Sequence, residues 1–236
     1  MLTLILAESA LETIPEEIQS DPRILAYTKK IGKNPQWTLL DKSYHYGAME
    51  RLNNKEKRGR PDIVHLTLLE ALGSPLNMEG LLQTYIHTIN DQTVSVSPQT
   101  RIPRNYNRFV GLMEQLFETG RIPPEGEILM MLQRTSIMKL VKAVGASYLV
   151  AFSRTGSPAT VAEAAKLLAA QRNPAVLIGG FPKGHFTAKT LEVANDCICI
   201  DPSPLDAWVA VSRVLAAYEE VIGLPEKRLG GIKRGK

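Results

Sequence analysis

Tyr148-Leu149-Val150-Ala151-Phe152 is an unbroken apolar run closed by Gly156 and Pro158, and it begins an alternation that fills the second half of the chain. A helical pattern follows over residues 160–170, an apolar strand over 175–178, another over 197–200 and a long helical pattern over 205–222. Strands buried on both faces read as continuous apolar runs, and strands alternating with helices build a parallel sheet covered by helices. The expected fold class is therefore α/β, a parallel sheet flanked by helices.

Outward from that stretch, residues 2–7 read as a first strand. Asp21-Pro22 announces a helix, with Asp as N-cap and Pro in the first turn, running to about residue 33. Pro61-Asp62 repeats the arrangement ahead of Ile63, Val64, Leu66, Leu68, Leu69 and Leu72, and Gly73-Ser74-Pro75 ends it. Residues 82–88 and 93–97 are strand-like and joined by Ile89-Asn90-Asp91-Gln92, which predicts a β-hairpin. Phe109, Leu112, Met113, Leu116 and Phe117 predict a helix over 105–118.

The chain has 236 residues, 44% of them hydrophobic and 22% charged, the balance of a folded globular protein. Disorder, collagen-like repeats and coiled coil are excluded as overall descriptions. No apolar run approaches the roughly 20 residues of a membrane span. The opening Met-Leu-Thr-Leu-Ile-Leu-Ala-Glu lacks the basic start of a signal peptide, so a cytoplasmic protein is expected. Cys197 and Cys199 are the only cysteines, two apart on one strand face. That spacing suits reduced thiols better than a disulfide, and two thiols alone make no zinc site. His45, His87 and His185 have no companions at ligand spacing, and no metal is expected.

The net charge of +4 conceals an asymmetry. Residues 51–60 carry Arg51, Lys55, Lys57, Arg58 and Arg60 against Glu56. Residues 101–108 carry Arg101, Arg104 and Arg108 with no acid, and the tail from Glu226 carries Lys227, Arg228, Lys233, Arg234 and Lys236. Those segments together exceed the net charge, so the remainder is acidic. An acidic body with basic patches is the footprint of a polyanion binder, although any one run also reads as a solvated face. Arg grips phosphate through a planar fork, which favours the two internal runs. The tail, with Gly230-Gly231 and Gly235, reads as a frayed end. No repeat or long linker divides the chain. The reading is one domain over 1–236 with an inserted, RNA-facing subregion at about 42–108.

Ile178-Gly179-Gly180-Phe181-Pro182-Lys183-Gly184 follows a strand, where α/β proteins place ligand loops. It is not G-x-G-x-x-G, and His185-Phe186 stands where a phosphate loop needs Lys then Ser or Thr, so NAD and ATP are disfavoured. Ile200-Asp201-Pro202-Ser203-Pro204-Leu205 and Ser153-Arg154-Thr155-Gly156-Ser157-Pro158 are further strand ends of this kind. Singly, each is ordinary turn chemistry; together they predict a small-ligand pocket. In Lys57-Arg58-Gly59-Arg60-Pro61-Asp62, Gly59 frees the backbone and Pro61 fixes it, which launches Arg60 beside a helix N-terminus with Asp62 able to pair with it. That segment reads either as a helix start with surface charges or as an Arg aimed at a base or phosphate. His65, among Ile63, Val64, Leu66 and Leu69, reads as a packed histidine.

These residues resemble the nucleolar essential protein family, pseudouridine N1-specific methyltransferases of ribosome biogenesis within the SPOUT superfamily. The likeness is carried by Leu40-Asp41-Lys42-Ser43 with His45 and Ala48-Met49, by the segment Lys57 to His65, and by Ser74-Pro75-Leu76-Asn77. Arg101-Ile102-Pro103-Arg104, Arg108-Phe109 and Gly111-Leu112-Met113 extend it, as do the glycine loop and Ser203-Pro204-Leu205. The resemblance implies a C-terminal trefoil knot, a homodimer, and S-adenosylmethionine as methyl donor to a pseudouridine in small-subunit ribosomal RNA. It also implies that Gly179, Gly184, Ile200, Asp201, Pro202, Ser203, Pro204 and Leu205 contact the cofactor, joined by Thr155 or its neighbours. Arg60, Arg101, Arg104 and Arg108 would contact RNA, with Arg60 and Asp62 catalytic: Arg60 stabilising charge on the base and Asp62 orienting Arg60 or accepting the proton. A ribosome assembly factor that binds RNA with secondary or no methyl transfer is the alternative, and transfer RNA is a further possible target.

Overall fold

A computed structural model describes residues 1–230. Of the basic tail expected as a frayed end, Glu226 to Gly230 instead complete the last helix, with Arg228 bonded to Glu79 at 2.9 Å, and residues 231–236 lie outside the described residues. The strands are β1 (Leu2–Ser9), β2 (Leu82–Thr88), β3 (Gln92–Val96), β4 (Arg121–Ile122), β5 (Met130–Arg134), β6 (Tyr148–Pro158), β7 (Pro174–Gly179) and β8 (Asp196–Cys199). They form a single sheet in the order β4-β5-β3-β2-β1-β7-β6-β8. From β2 through β8 the neighbours run parallel; β3, β5 and β4 extend the sheet antiparallel. The helices are α1 (Glu16–Gln19), α2 (Pro22–Ile31), α3 (Lys42–Met49), α4 (Pro61–Gly73), α5 (Pro75–Met78), α6 (Tyr106–Thr119), α7 (Ile137–Val144), α8 (Val161–Ala169), α9 (Ala188–Leu191), α10 (Ala207–Val221) and α11 (Leu224–Gly230).

β1 is buried along its whole length because both sheet faces are covered. Successive strand side chains alternate in direction. Leu2, Leu4 and Leu6 pack with Val64 and Leu68 of α4, Phe109 of α6, Leu168 of α8 and Val211 of α10. Ile5 and Ala7 point the other way, toward Ile137 and Leu140 of α7 and toward Phe186. Asp21 caps α2 as expected, its carboxylate accepting from the Arg23 N–H at 2.9 Å. Thr160 and Glu163 cap α8 reciprocally.

Three readings change. The hairpin of β2 and β3 forms as expected, but β2 is not peripheral: it pairs in parallel with β1 from Leu2↔Leu82 to Ser9↔Thr88. With α4 packed beneath, residues 42–108 are built into the main sheet and core, because their apolar faces need β1 and α10 to cover them. Second, the Gly/Pro-rich segment 153–158 is not a free loop but the end of β6, and the β6–β8 register shifts between Phe152 and Ser157. A Cβ at Gly156 would fall 2.6 Å from the Cys197 carbonyl, so only glycine lets the two backbones cross there. Third, β5 and α7 were not anticipated. Ile137, Leu140, Val141 and Val144 do have helical spacing, and this face packs against the sheet.

Candidate active site

The sheet reverses its winding beside β1, and the carboxyl ends of β6, β7 and β8 open there into a cavity of about 580 Å³. Phe152, Ile178, Phe181, Phe186, Leu205, Ala207 and Ala210 make its apolar walls. Ser153, Arg154, Lys183, His185, Asp201 and Ser203 supply polar groups. Gly179, Gly184, Ile200, Asp201, Ser203, Pro204 and Leu205, all expected from the sequence, line it. Pro202 and Thr155 do not; Thr155 is exposed, and its Oγ1 lies 3.0 Å from Ser153 Oγ while Ser153 and Arg154 face the cavity. Phe152, Ala207 and Ala210 were missed, since an apolar wall and a core residue carry the same sequence signal; Phe181 lay in the expected ligand loop without being singled out as a contact. Asp201 accepts from the Ser203 N–H at 2.9 Å, which tightens the turn between β8 and α10.

Arg60 stands just before α4. Gly59, at φ +67, makes the turn that presents it, and a Cβ at Gly59 would also strike Met49 Cε at 2.8 Å. The Arg60 guanidinium forks onto Asp62, with Nε to Oδ1 at 2.8 Å and a terminal nitrogen to Oδ2 at 2.7 Å. Its side chain is 38% exposed, so the pair is fixed yet reachable. The hydrogen bonds that Arg60 donates to Asp62 raise the Arg60 pKa, with Asp206 and Asp41 adding to the field, so Arg60 holds its charge. α4, which Arg60 precedes, packs against α10 in the core, and Asp206 stands at the N-cap of α10 between the cavity residues Leu205 and Ala207.

The segment 101–108 is fastened beside Arg60. His65 is buried, donates from Nε2 to the Pro103 carbonyl at 2.7 Å and stacks on Phe109, as its apolar setting predicted. The Tyr106 hydroxyl donates to Asp41, and burial followed by that bond raises the Tyr106 pKa. Arg101, Arg104 and Arg108 are exposed, and among the described residues they form no ion pair. Arg104 and Arg108 flank the start of α6, where Asn105 caps the Arg108 N–H at 3.1 Å.

The run 51–60 departs from its expected solvent-facing character. Arg58 is buried and forks onto buried Glu12, both contacts at 2.7 Å. Lys57 pairs with Glu8 at 2.7 Å, Lys55 with Glu50 and Arg60 with Asp62. Two distant acids, Glu8 and Glu12, and two that flank the run, Glu50 and Asp62, neutralise most of a stretch that looks strongly basic when read alone. Among the described residues, no group of His, Cys, Asp and Glu is disposed to hold a metal, and no helix is long and apolar enough to cross a membrane.

Residues 4–219 match the EMG1/NEP1 methyltransferase family. The chain is 42% identical, over 94% of its length and 97% of the relative's, to the ribosomal RNA small subunit methyltransferase Nep1 of Staphylothermus marinus. Against the Nep1 of Pyrobaculum neutrophilum it is 46% identical over 94% of the chain and 100% of the relative. The crystal structure of Archaeoglobus fulgidus Nep1 bound to S-adenosylhomocysteine superposes with a TM-score of 0.84, at 37% identity and covering 94% of this chain and 98% of that one. A match spanning nearly all of the sheet and both sides of the cavity settles the assignment: the chain belongs to the EMG1/NEP1 methyltransferase family.

Proposed function

We propose that the protein methylates small-subunit ribosomal RNA using S-adenosylmethionine, and that its target atom is N1 of a pseudouridine. The observation that carries the reading is the cavity at the ends of β6, β7 and β8 with a fixed, reachable Arg60–Asp62 fork on its α10 side. The cavity suits the cofactor in its chemistry. Phe152, Ile178, Leu205, Ala207 and Ala210 offer apolar walls for a flat ring, while the turns at 179–184 and 200–205 offer backbone groups and Asp201 a carboxylate. When bound, S-adenosylmethionine supplies an electrophilic methyl group.

The chain's own residues position and polarise. Arg60 remains protonated and donates hydrogen bonds toward negative charge that builds on a ring losing its N1 proton. Asp62 orients Arg60, since both its oxygens are engaged by the guanidinium. Arg101, Arg104 and Arg108 hold the phosphates around a target that must leave its stack to reach the cavity. A homodimer, a C-terminal trefoil knot and a cytoplasmic setting complete the reading and follow from the family resemblance.

Mass spectrometry of a ribosomal RNA fragment, synthesised with pseudouridine or with uridine and incubated with protein and labelled cofactor, tests it. One added methyl on the pseudouridine fragment alone is expected. Methylation of both fragments would remove the N1 assignment. Failure to bind S-adenosylhomocysteine in calorimetry would favour an assembly factor without methyl transfer.

A further inference from the structure

Lys57 belongs to a basic run, yet its ammonium turns away from solvent toward the cavity. Its Nζ donates to Glu8 Oε2 at 2.7 Å and to the His185 carbonyl, and it sits 4.4 Å from the centroid of the Phe181 ring. Its stem also packs under Gly184, where an added Cβ would come within 3.1 Å of Lys57 Cε. Phe181, Gly184 and His185 all line the cavity. On the far side of the pair, Glu8 Oε1 accepts from the Thr187 N–H at 2.7 Å and the Thr187 hydroxyl at 2.8 Å. One buried ion pair therefore touches four residues of the seven-residue stretch 181–187.

Glu8 is only 4% exposed and follows the apolar run Leu4 to Ala7 near the end of β1. Its backbone has φ +50, a left-handed conformation unfavourable for a residue with a side chain. The β1–β2 register breaks at this point, between Leu6 and Ser9. Strain of this kind persists where surrounding contacts fix it, and here the contacts are Lys57 and Thr187. Gly180 donates to the Ala7 carbonyl and accepts from the Ala10 N–H, and Phe186 packs in the cluster of Ile5 and Ala7, so both ends of the stretch are held near β1 and the Glu8–Lys57 pair fixes the cavity-facing backbone between them.

We infer that Glu8 and Lys57 are positioning residues for the cofactor cavity: their pair ties the end of β1 to residues 181–187 and so sets the wall against which the cofactor rests. The inference rests on the cavity being the cofactor site. It assigns Lys57 to the cofactor and not to RNA, against the reading of its run as a phosphate-binding patch.

Calorimetry with S-adenosylhomocysteine and an RNA-binding titration across salt, on wild type, Lys57→Met, Lys57→Arg and Glu8→Gln, test it. Lys57→Met is expected to weaken S-adenosylhomocysteine binding about tenfold or more, with KM for the methyl donor raised by more than kcat falls and RNA affinity and its salt slope unchanged. Lys57→Arg is expected to recover most of that loss. Binding within about twofold of wild type in Lys57→Met would overturn the inference, as would a salt slope lowered by about one phosphate with cofactor binding intact. Should Lys57→Met fail to fold, Thr187→Val removes one hydroxyl from Glu8 together with the N-cap of α9. A loss of about threefold in S-adenosylhomocysteine affinity is then expected, which Thr187→Ser, keeping the hydroxyl, recovers; no loss in Thr187→Val would overturn the inference. Absence of binding by the wild type would instead sink the cavity assignment itself.

Discussion

Arg58 and Arg104 come from short basic runs of similar appearance, but the structure spends them differently. Arg58 is clamped on Glu12 beneath the surface; Arg104 projects into solvent with no carboxylate partner among the described residues. Local charge density does not distinguish the two. What does is the acid supplied from elsewhere: Glu8 and Glu12 leave the end of β1 where residues 57 and 58 pass. Among the described residues no carboxylate pairs with Arg101, Arg104 or Arg108, Asp41 being engaged there by the Tyr106 hydroxyl, which leaves the arginine charge available to a polyanion.

The contrast is broken or sharpened first at Arg58. Arg58→Met strands a carboxylate that is 1% exposed, and should cost about 3–5 kcal/mol of stability in urea unfolding. Arg104→Ala, measured alongside, should stay within about 0.5 kcal/mol. Equal costs would erase the distinction. At the junction of the two runs, Arg60→Ala should lower methyl transfer by about a hundredfold or more while the melting temperature holds. Activity within twofold of wild type in single-turnover assays would remove Arg60 from the chemistry. Arg104→Ala combined with Arg108→Ala should leave the fold intact, weaken RNA binding across sequences and reduce the salt slope by about two phosphates; an unchanged slope would place the RNA elsewhere.

The smallest effect is confined to acid. Burial pushes the Glu8 carboxyl up, but Lys57, Thr190 and Thr187 outweigh it and hold it below its ordinary value of 4.5. A carboxyl that is more acidic in the folded state contributes stability in full above its unfolded value, and loses it as pH falls through the lower folded one. Melting temperatures of wild type should therefore fall more steeply below about pH 4.5 than those of Glu8→Gln. Parallel profiles would detach Glu8 from this role.

Much of the second half was legible because its strands are apolar on both faces and its helices carry caps: 175–178 became Pro174–Gly179, and 205–222 became Ala207–Val221. The turns at 179–184 and 200–205 were legible as ligand loops because glycine and proline punctuate strand ends. Residues 153–158 were misjudged because Gly156 serves a close backbone crossing, not a turn. The apolar wall from Phe152, Ala207 and Ala210 was hidden, since burial against a ligand and burial in a core demand the same side chains. Glu8 did leave a trace: a carboxylate ending an apolar strand needs a partner, though its sequence does not say which lysine answers.

Both outer margins of the sheet are brief, β4 with 2 residues and β8 with 4. So little unpaired backbone offers scant template for strand addition by a stray chain. Edges this short favour side chains on helices and turns over main-chain hydrogen bonding as the means by which this surface meets any other protein.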